Sequence, residues 1–290
     1  MTTEACSMHI LTVFRQFLSA FLLFSMLSSA SLSAPPELSG TDWDEEVEAM
    51  LEELRLPGTI ALGYRNTVTG EEHYYNGDEY IIAASLYKLP LNMIYAERIA
   101  RGELCWDDTI SDMPLSYIQS RSLTYSANRP AEALLGDLGG WESFRALCAE
   151  YLGENSADPD YLRQQNMFTA RQLTRCAALL CEEPERFPGV TECLMDSAPG
   201  QFLEYADVPF DIAQKYGNLT VDGLHCFHVS GIVFTDEPIA LTVMTVNVGD
   251  QRSLMEQYVL RMCDYAQCRA LPGAPLPGNQ ERNEVSPCRP

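Results

Sequence analysis

Lysine occurs only at Lys88 and Lys215 in this chain of 290 residues, whereas arginine occurs seventeen times. Guanidinium serves as a surface cation, but it cannot take the place of an amine that must give up its proton. Both lysines sit in short patterns, Ser85-Leu86-Tyr87-Lys88 and Lys215-Tyr216-Gly217, and a third, Ser126-Ala127-Asn128, falls between them. Residues three apart on a helical turn have Cβ atoms ~5–6 Å apart, near enough for the Ser85 hydroxyl and the Lys88 amine to meet. The chemistry this spacing permits is nucleophilic attack by Ser85 with Lys88 as proton acceptor. Two chance survivors of an arginine-rich composition is the blander reading, and the ordered third pattern argues against it.

A free lysine has a pKa of about 10.4, so acting as a base near neutral pH requires a depression of roughly three units, about 4 kcal/mol. Burial and a second cation supply such a shift, and Lys215 is that cation if the fold brings it beside Ser126 and Lys88. The net charge of −22 works in the opposite direction, although screening leaves local contacts dominant. Pro90 disturbs an ideal helix, so an irregular helix start is expected there, with Ser85 exposed at the N-terminal end where the helix dipole favours developing negative charge.

These residues need elements to hold them. Trp43, Val47, Met50, Leu51 and Leu54 recur at helical spacing after Thr41, with Pro57-Gly58 as a stop. Thr59 to Asn66 and Glu71 to Tyr75 flank Gly70 and read as a hairpin. From Leu89 to about Cys181 the pattern is helical, punctuated by Gly102, Gly136, Gly139-Gly140 and Gly153. Ile212 to Tyr216, Cys226 to Phe234 and Ile239 to Asn247 read as strands, with turns at Gly217-Asn218 and Asp236-Glu237-Pro238. Leu254, Tyr258, Met262 and Tyr265 mark a last helix. The expected class is α/β (α+β): a five-stranded, mainly antiparallel sheet flanked by the terminal helices, with an inserted all-helical lobe over about 89–206.

The termini read differently. Phe17 to Leu27 is an apolar run followed by Ser28, Ser29 and Ala30, so residues 1–34 are expected to be a signal peptide. That run is shorter than the ~20 residues a membrane span needs, and an uncleaved anchor is the rival reading. Residues 35–270 are the expected catalytic domain, and the proline-rich 271–290 a disordered tail. The acidic balance argues against nucleic acid or an anionic membrane surface as a main partner. Ten cysteines leave nine after leader removal, an odd number, and mostly buried thiols are favoured over a disulfide framework. His225 and His228, three apart on a strand, point to opposite faces, so neither a metal nor any other cofactor is expected.

Ser85-x-x-Lys88, Ser126-x-Asn128 and Lys215-x-Gly217, in this order, resemble the motif set of the class A β-lactamase and penicillin-binding protein superfamily, over about Asp42 to Gln267. The resemblance implies a β-lactamase-like fold in which Ser85 is the acylated nucleophile and Lys88 its activating amine. It implies Ser126 as proton relay to the departing nitrogen and Asn128 as holder of the substrate's side-chain amide. Lys215 would attract the substrate carboxylate, Gly217 would allow close approach, and the N–H groups of Ser85 and Asn218 would form the oxyanion hole. The implied partner is a small β-lactam or D-alanyl peptide, and the implied setting is a monomer in the bacterial cell envelope or outside it, with no stable membrane span once the leader is cleaved.

Three departures bear on function. Ala127 replaces the usual aspartate, and Tyr216 stands where a small hydroxyl residue is usual and would narrow the pocket. No clean counterpart of the loop glutamate that activates the deacylating water lies between Asn128 and Lys215, and Asp158-Pro159-Asp160 is the nearest stretch. With a working base the protein is a β-lactamase; without one it is a D-alanyl-D-alanine carboxypeptidase or a β-lactam sensor that stays acylated. A serine-dependent glutaminase and a catalytically dead binding module are further alternatives. A Ser-His-Asp hydrolase of the α/β type is excluded by the lack of a G-x-S-x-G elbow. His73, His225 and His228 read as satisfied sheet or surface residues.

Overall fold

The computed structural model describes residues 42–269. The first helix, α1 (Trp43–Leu54), is capped by the Asp42 side chain, carries Asp44, Glu45 and Glu46 in its first turn, and ends at Arg55 in the left-handed conformation. Acids at the positive end of the helix dipole and an oxygen cap on its free N–H groups explain this start. Thr41, the expected starting signal, lies outside the described residues, as do the expected leader and tail.

The hairpin forms as expected from β1 (Thr59–Asn66) and β2 (Glu72–Tyr75). With β3 (Ile212–Val221), β4 (Leu224–Val233) and β5 (Ile239–Val246) it builds a five-stranded antiparallel sheet in the order β2-β1-β5-β4-β3. β3 is therefore an edge strand. The turn expected at Gly217-Asn218 is not there: β3 runs on to Val221, and Asp222 and Gly223, at φ 49° and 81°, make the reversal. An Asp-Gly pair with both residues left-handed gives a tight turn whose twist matches the flanking strands.

Between β2 and β3 the chain is mostly helical: α2 (Lys88–Ala100), α3 (Leu115–Leu123), α4 (Asn128–Asp137), α5 (Trp141–Leu152) and α6 (Ala170–Glu182), followed by a short helix over Val190–Met195. Leu86, Leu89, Met93, Phe144, Phe168 and Ala177 belong to the core on this side of the sheet. α6 approaches the sheet most closely, since a Cβ on Gly63 would lie 2.2 Å from Thr174 Oγ1, and Ser230 Oγ donates to Leu173 O. On the other face α1 and the last helix, α7 (Gln251–Arg269), cover a second core that includes Trp43, Met50, Leu62, Val243, Tyr258 and Met262. The eight described cysteines are free thiols, and Cys148, Cys176, Cys226 and Cys263 are buried. Burial pushes the Cys148 thiol up to about 12, as expected for inert core cysteines. Among the described residues no helix is long and apolar enough to cross a membrane.

Candidate active site

Ser85 lies in the turn that leads into α2. Ala84 before it is left-handed (φ 51°), and the N–H groups of Leu86, Lys88 and Leu89 donate to the carbonyls of Ala83, Ser85 and Leu86 at 3.0–3.2 Å. This tight entry is the irregular start expected from Pro90. Pro90 itself is the third residue of α2, where its missing N–H would have had no helical acceptor. No turn or loop bond uses the Ser85 N–H among the described residues. A Cβ on Gly217 would come within 2.9 Å of Ala83 O and 3.1 Å of Ser85 N. Glycine there lets the edge strand close against the turn that carries Ser85, and it leaves the Ser85 N–H beside the strand that carries Asn218.

Lys88 is fully buried, and its Nζ donates to Ser126 O at 2.5 Å and to Asn128 Oδ1 at 2.8 Å, with Ser126 Oγ at 3.5 Å. Ser126 is left-handed (φ 56°), a conformation that costs a side-chain-bearing residue roughly 1–2 kcal/mol. Burial lowers the Lys88 pKa to about 8, against the opposing charge of Glu132. A neutral amine has two N–H bonds, and the two short contacts use both, so its lone pair remains for a hydroxyl proton. Ser85 Oγ makes no hydrogen bond among the described residues, and Lys88 reaches Ser126 instead of its helical neighbour. Asn92, one turn further along α2, fixes this arrangement by donating to Lys88 O and Ser122 Oγ.

Lys215 is also fully buried; its Nζ donates to Tyr216 O at 2.9 Å and lies 4.2 Å from the Tyr216 ring centre. Burial, and then the nearby Lys88, push its ammonium well below the ordinary lysine value. The two lysines are thus brought together from α2 and β3. The Tyr216 ring stacks on Phe202 at 4.8 Å, and Phe202 stacks on Phe227 at 4.6 Å. This stack packs against the core under the terminal helices, while the Tyr216 ring stays beside the Lys215 amine. Asn128 and Asn218 are exposed.

The connection between α5 and α6, where a loop carboxylate was sought, points its acids elsewhere. Asp158 caps a single helical turn by accepting from Asp160 N–H, and Asp160 pairs with Arg163 at 2.6 Å with its side chain 85% exposed. Glu154 accepts from Gln172 Nε2 at 2.8 Å. Asn166 is the member of this segment that meets the Ser85 turn: its carbonyl accepts from Ala83 N–H at 2.9 Å, and its Nδ2 donates to Ala84 O at 3.1 Å. Arg145 anchors the segment. Its buried guanidinium lies over the Tyr161 and Phe168 rings, at 4.1 and 4.5 Å, and donates to Met167 O.

His228 supports the site from below. Thr245 N–H donates to its Nδ1 at 3.0 Å, so Nε2 carries the proton and donates to Ile82 O at 2.9 Å, three residues before Ser85. It is a satisfied sheet histidine, as expected. Burial lowers its pKa from 6.5 to about 4. Between those values the unfolded chain binds a proton that the folded chain refuses, so stability is complete above pH 6.5 and falls by about 1.4 kcal/mol per unit towards pH 4. Glu72, held at about 2 mainly by its hydrogen bond to Arg175, loses its contribution only at lower pH. Urea unfolding from pH 7 to 4.5 is expected to show this loss in the native chain and not in His228→Gln, which does not titrate.

Asn166, Arg145 and His228 carry no signal in sequence spacing, because each works through a backbone carbonyl supplied by a distant element. The model of the Beta-lactamase enzyme family matches residues 43–258. A search of curated proteins gives no match. Among solved structures, a beta-lactamase from Xanthomonas campestris pv. campestris superposes with a TM-score of 0.63 at 16% identity, covering 77% of this chain and 98% of that one. An ancestral class A beta-lactamase gives 0.61 at 17%, over 77% and 98% of the two chains. A beta-lactamase from Chitinophaga pinensis gives 0.59 at 15%, over 77% and 97%. At these identities the likeness shows a shared fold.

Proposed function

Since the chain belongs to the Beta-lactamase enzyme family, and is thus a beta-lactamase-like serine hydrolase, we propose that it opens the cyclic amide of β-lactams through an acyl ester on Ser85. The observation that carries this reading is the Lys88 amine. It is fully buried, has its pKa lowered to about 8, and has both N–H bonds of its neutral form engaged, one helical turn from Ser85. In the first step the Ser85 oxygen attacks the lactam carbonyl and its proton passes to Lys88. The N–H groups of Ser85 and Asn218 hold the oxyanion. Ser126, 3.5 Å from Lys88 Nζ, returns the proton to the departing nitrogen. Asn128 binds the substrate's side-chain amide, and Lys215 attracts its carboxylate. Export by a leader over residues 1–34 belongs to the same reading.

The acids turned away over residues 153–166 favour a second reading, a D-alanyl peptidase or β-lactam sensor that releases its acyl group slowly. Intact-mass spectrometry after mixing with benzylpenicillin separates the two. A transient adduct with ring-opened product is expected, and none on Ser85→Ala. A lasting adduct selects the peptidase or sensor, and no adduct on the native chain removes the acyl-serine mechanism altogether.

A further inference from the structure

Hydrolysis of an acyl ester on Ser85 needs a group to take a proton from the attacking water, and the segment between α5 and α6 offers none. Glu154 is bonded to Gln172, Asp158 caps its own turn, and Asp160 is paired with Arg163 in solvent.

A carboxylate on another element acts electrostatically on Lys88. Glu132 follows Asn128 by four residues on α4, so the two side chains share a face one turn apart, with Cβ atoms ~5–6 Å from each other. Asn128 Oδ1 is 2.8 Å from Lys88 Nζ, which sets the distance scale for the residue above it. α4 is fixed in this orientation by its buried face of Pro130, Ala131 and Leu134, and by Tyr95, whose hydroxyl bonds Leu134 O and Asp137. The Glu132 side chain is exposed, and no hydrogen bond or ion pair to it is found among the described residues. Its charge nevertheless acts on both Lys88 and Tyr87, the two residues that follow the nucleophile turn into α2. Glu132 thus sits within electrostatic reach of a buried amine with no hydrogen-bond partner among the described residues.

On the far side of the same turn, Asn166 is tied to Ala84 O while its own Oδ1 is shut off from solvent and has no partner among the described residues. This is an unused acceptor of the kind that holds an ordered water.

We propose that Glu132 is the general base that activates water for hydrolysis of the Ser85 ester, an assignment that rests on the acyl-serine reading above. The water oxygen bonds to the acyl carbon as its proton passes to a Glu132 oxygen. The bond between that carbon and Ser85 Oγ then breaks, and Glu132 returns the proton to Ser85 Oγ, releasing the carboxylic acid product and restoring the free hydroxyl. Lys88 is left to the first step, and the base for the second comes from the helix that begins with the substrate-binding asparagine.

The test uses the full chain and Glu132→Gln, mixed with benzylpenicillin and followed by quenched intact-mass spectrometry. The variant is expected to acylate no more slowly than the native chain and to lose the adduct ~10²- to 10⁴-fold more slowly. Glu132→Ala is expected to behave likewise, and added formate, a small carboxylate able to enter the space vacated, is expected to restore release. A purely structural role would not give that rescue. Native-like release from Glu132→Gln overturns the assignment, as does a native adduct that never leaves. Loss of acylation in both variants moves Glu132 to the first step and overturns it too. Absence of any adduct on the native chain defeats the acyl-serine reading instead.

Discussion

Lys88→Arg is expected to abolish adduct formation on the scale of a minute's exposure to benzylpenicillin, with acylation slowed ~10²- to 10⁴-fold or more. The substitution keeps a positive charge and the ability to donate to Ser126 O and Asn128 Oδ1, the two acceptors that hold the Lys88 amine at 2.5 and 2.8 Å. What it removes is the lone pair, since guanidinium does not deprotonate in a protein. A larger group in a fully buried site also strains packing. Lys88→Gln therefore serves as a companion: its amide N–H₂ donates to the same two acceptors without the bulk, and it too lacks a basic nitrogen. Rapid-quench mass spectrometry of both variants, with thermal melts alongside, checks the prediction. Acylation at the native rate in either folded variant removes Lys88 as the base.

The ordered motifs were legible in the sequence because each depends on a local spacing. Ser85 and Lys88 are one turn apart, Asn128 begins a helix, and Gly217 is a bare position in a strand. The sheet was legible for the same reason, through alternation and the Gly70 turn. Local reading went astray at Gly217, where glycine was taken as a turn residue although its purpose is contact with Ala83 and Ser85, far away in sequence. Asp222-Gly223, with both residues left-handed, makes the turn instead. Tyr216 stacks on Phe202 while its ring stays beside the Lys215 amine, a packing that spacing along β3 does not show. Asn166, Arg145 and Glu132 show the deeper limit. Asn166 and Arg145 matter through a carbonyl on another element, and Glu132 through an amine forty-four residues away; only the packed chain brings such pairs together.

Acylation by this site is expected to fall towards tenfold per pH unit well below pH ~8, about fiftyfold between pH 8 and 6, because on the proposed mechanism the reactive form of Lys88 is the neutral one and burial places its pKa at about 8. Besides burial, the charges that bear on this titration are Glu132 on α4, which acts on Lys88 directly, and Lys215 on β3, whose own ammonium is disfavoured by Lys88. Glu132 opposes the shift, so Glu132→Gln is expected to move the rising limb to lower pH. Lys215 works the other way. Its own ammonium is disfavoured by burial and by Lys88, and the repulsion is mutual. An anionic substrate arriving beside Lys215 favours its charged form, and that charge expels the proton from Lys88. Binding thereby prepares the base. The rising limb of the acylation rate at saturating substrate is expected at lower pH than that of the second-order rate constant when the β-lactam carries a free carboxylate. With the corresponding uncharged methyl ester the two limbs are expected to coincide. Stopped-flow acylation across pH 5.5–9 with the acid and its ester, run under constant salt, measures both, and equal limbs for the acid would show that Lys215 does not act on Lys88 through the substrate.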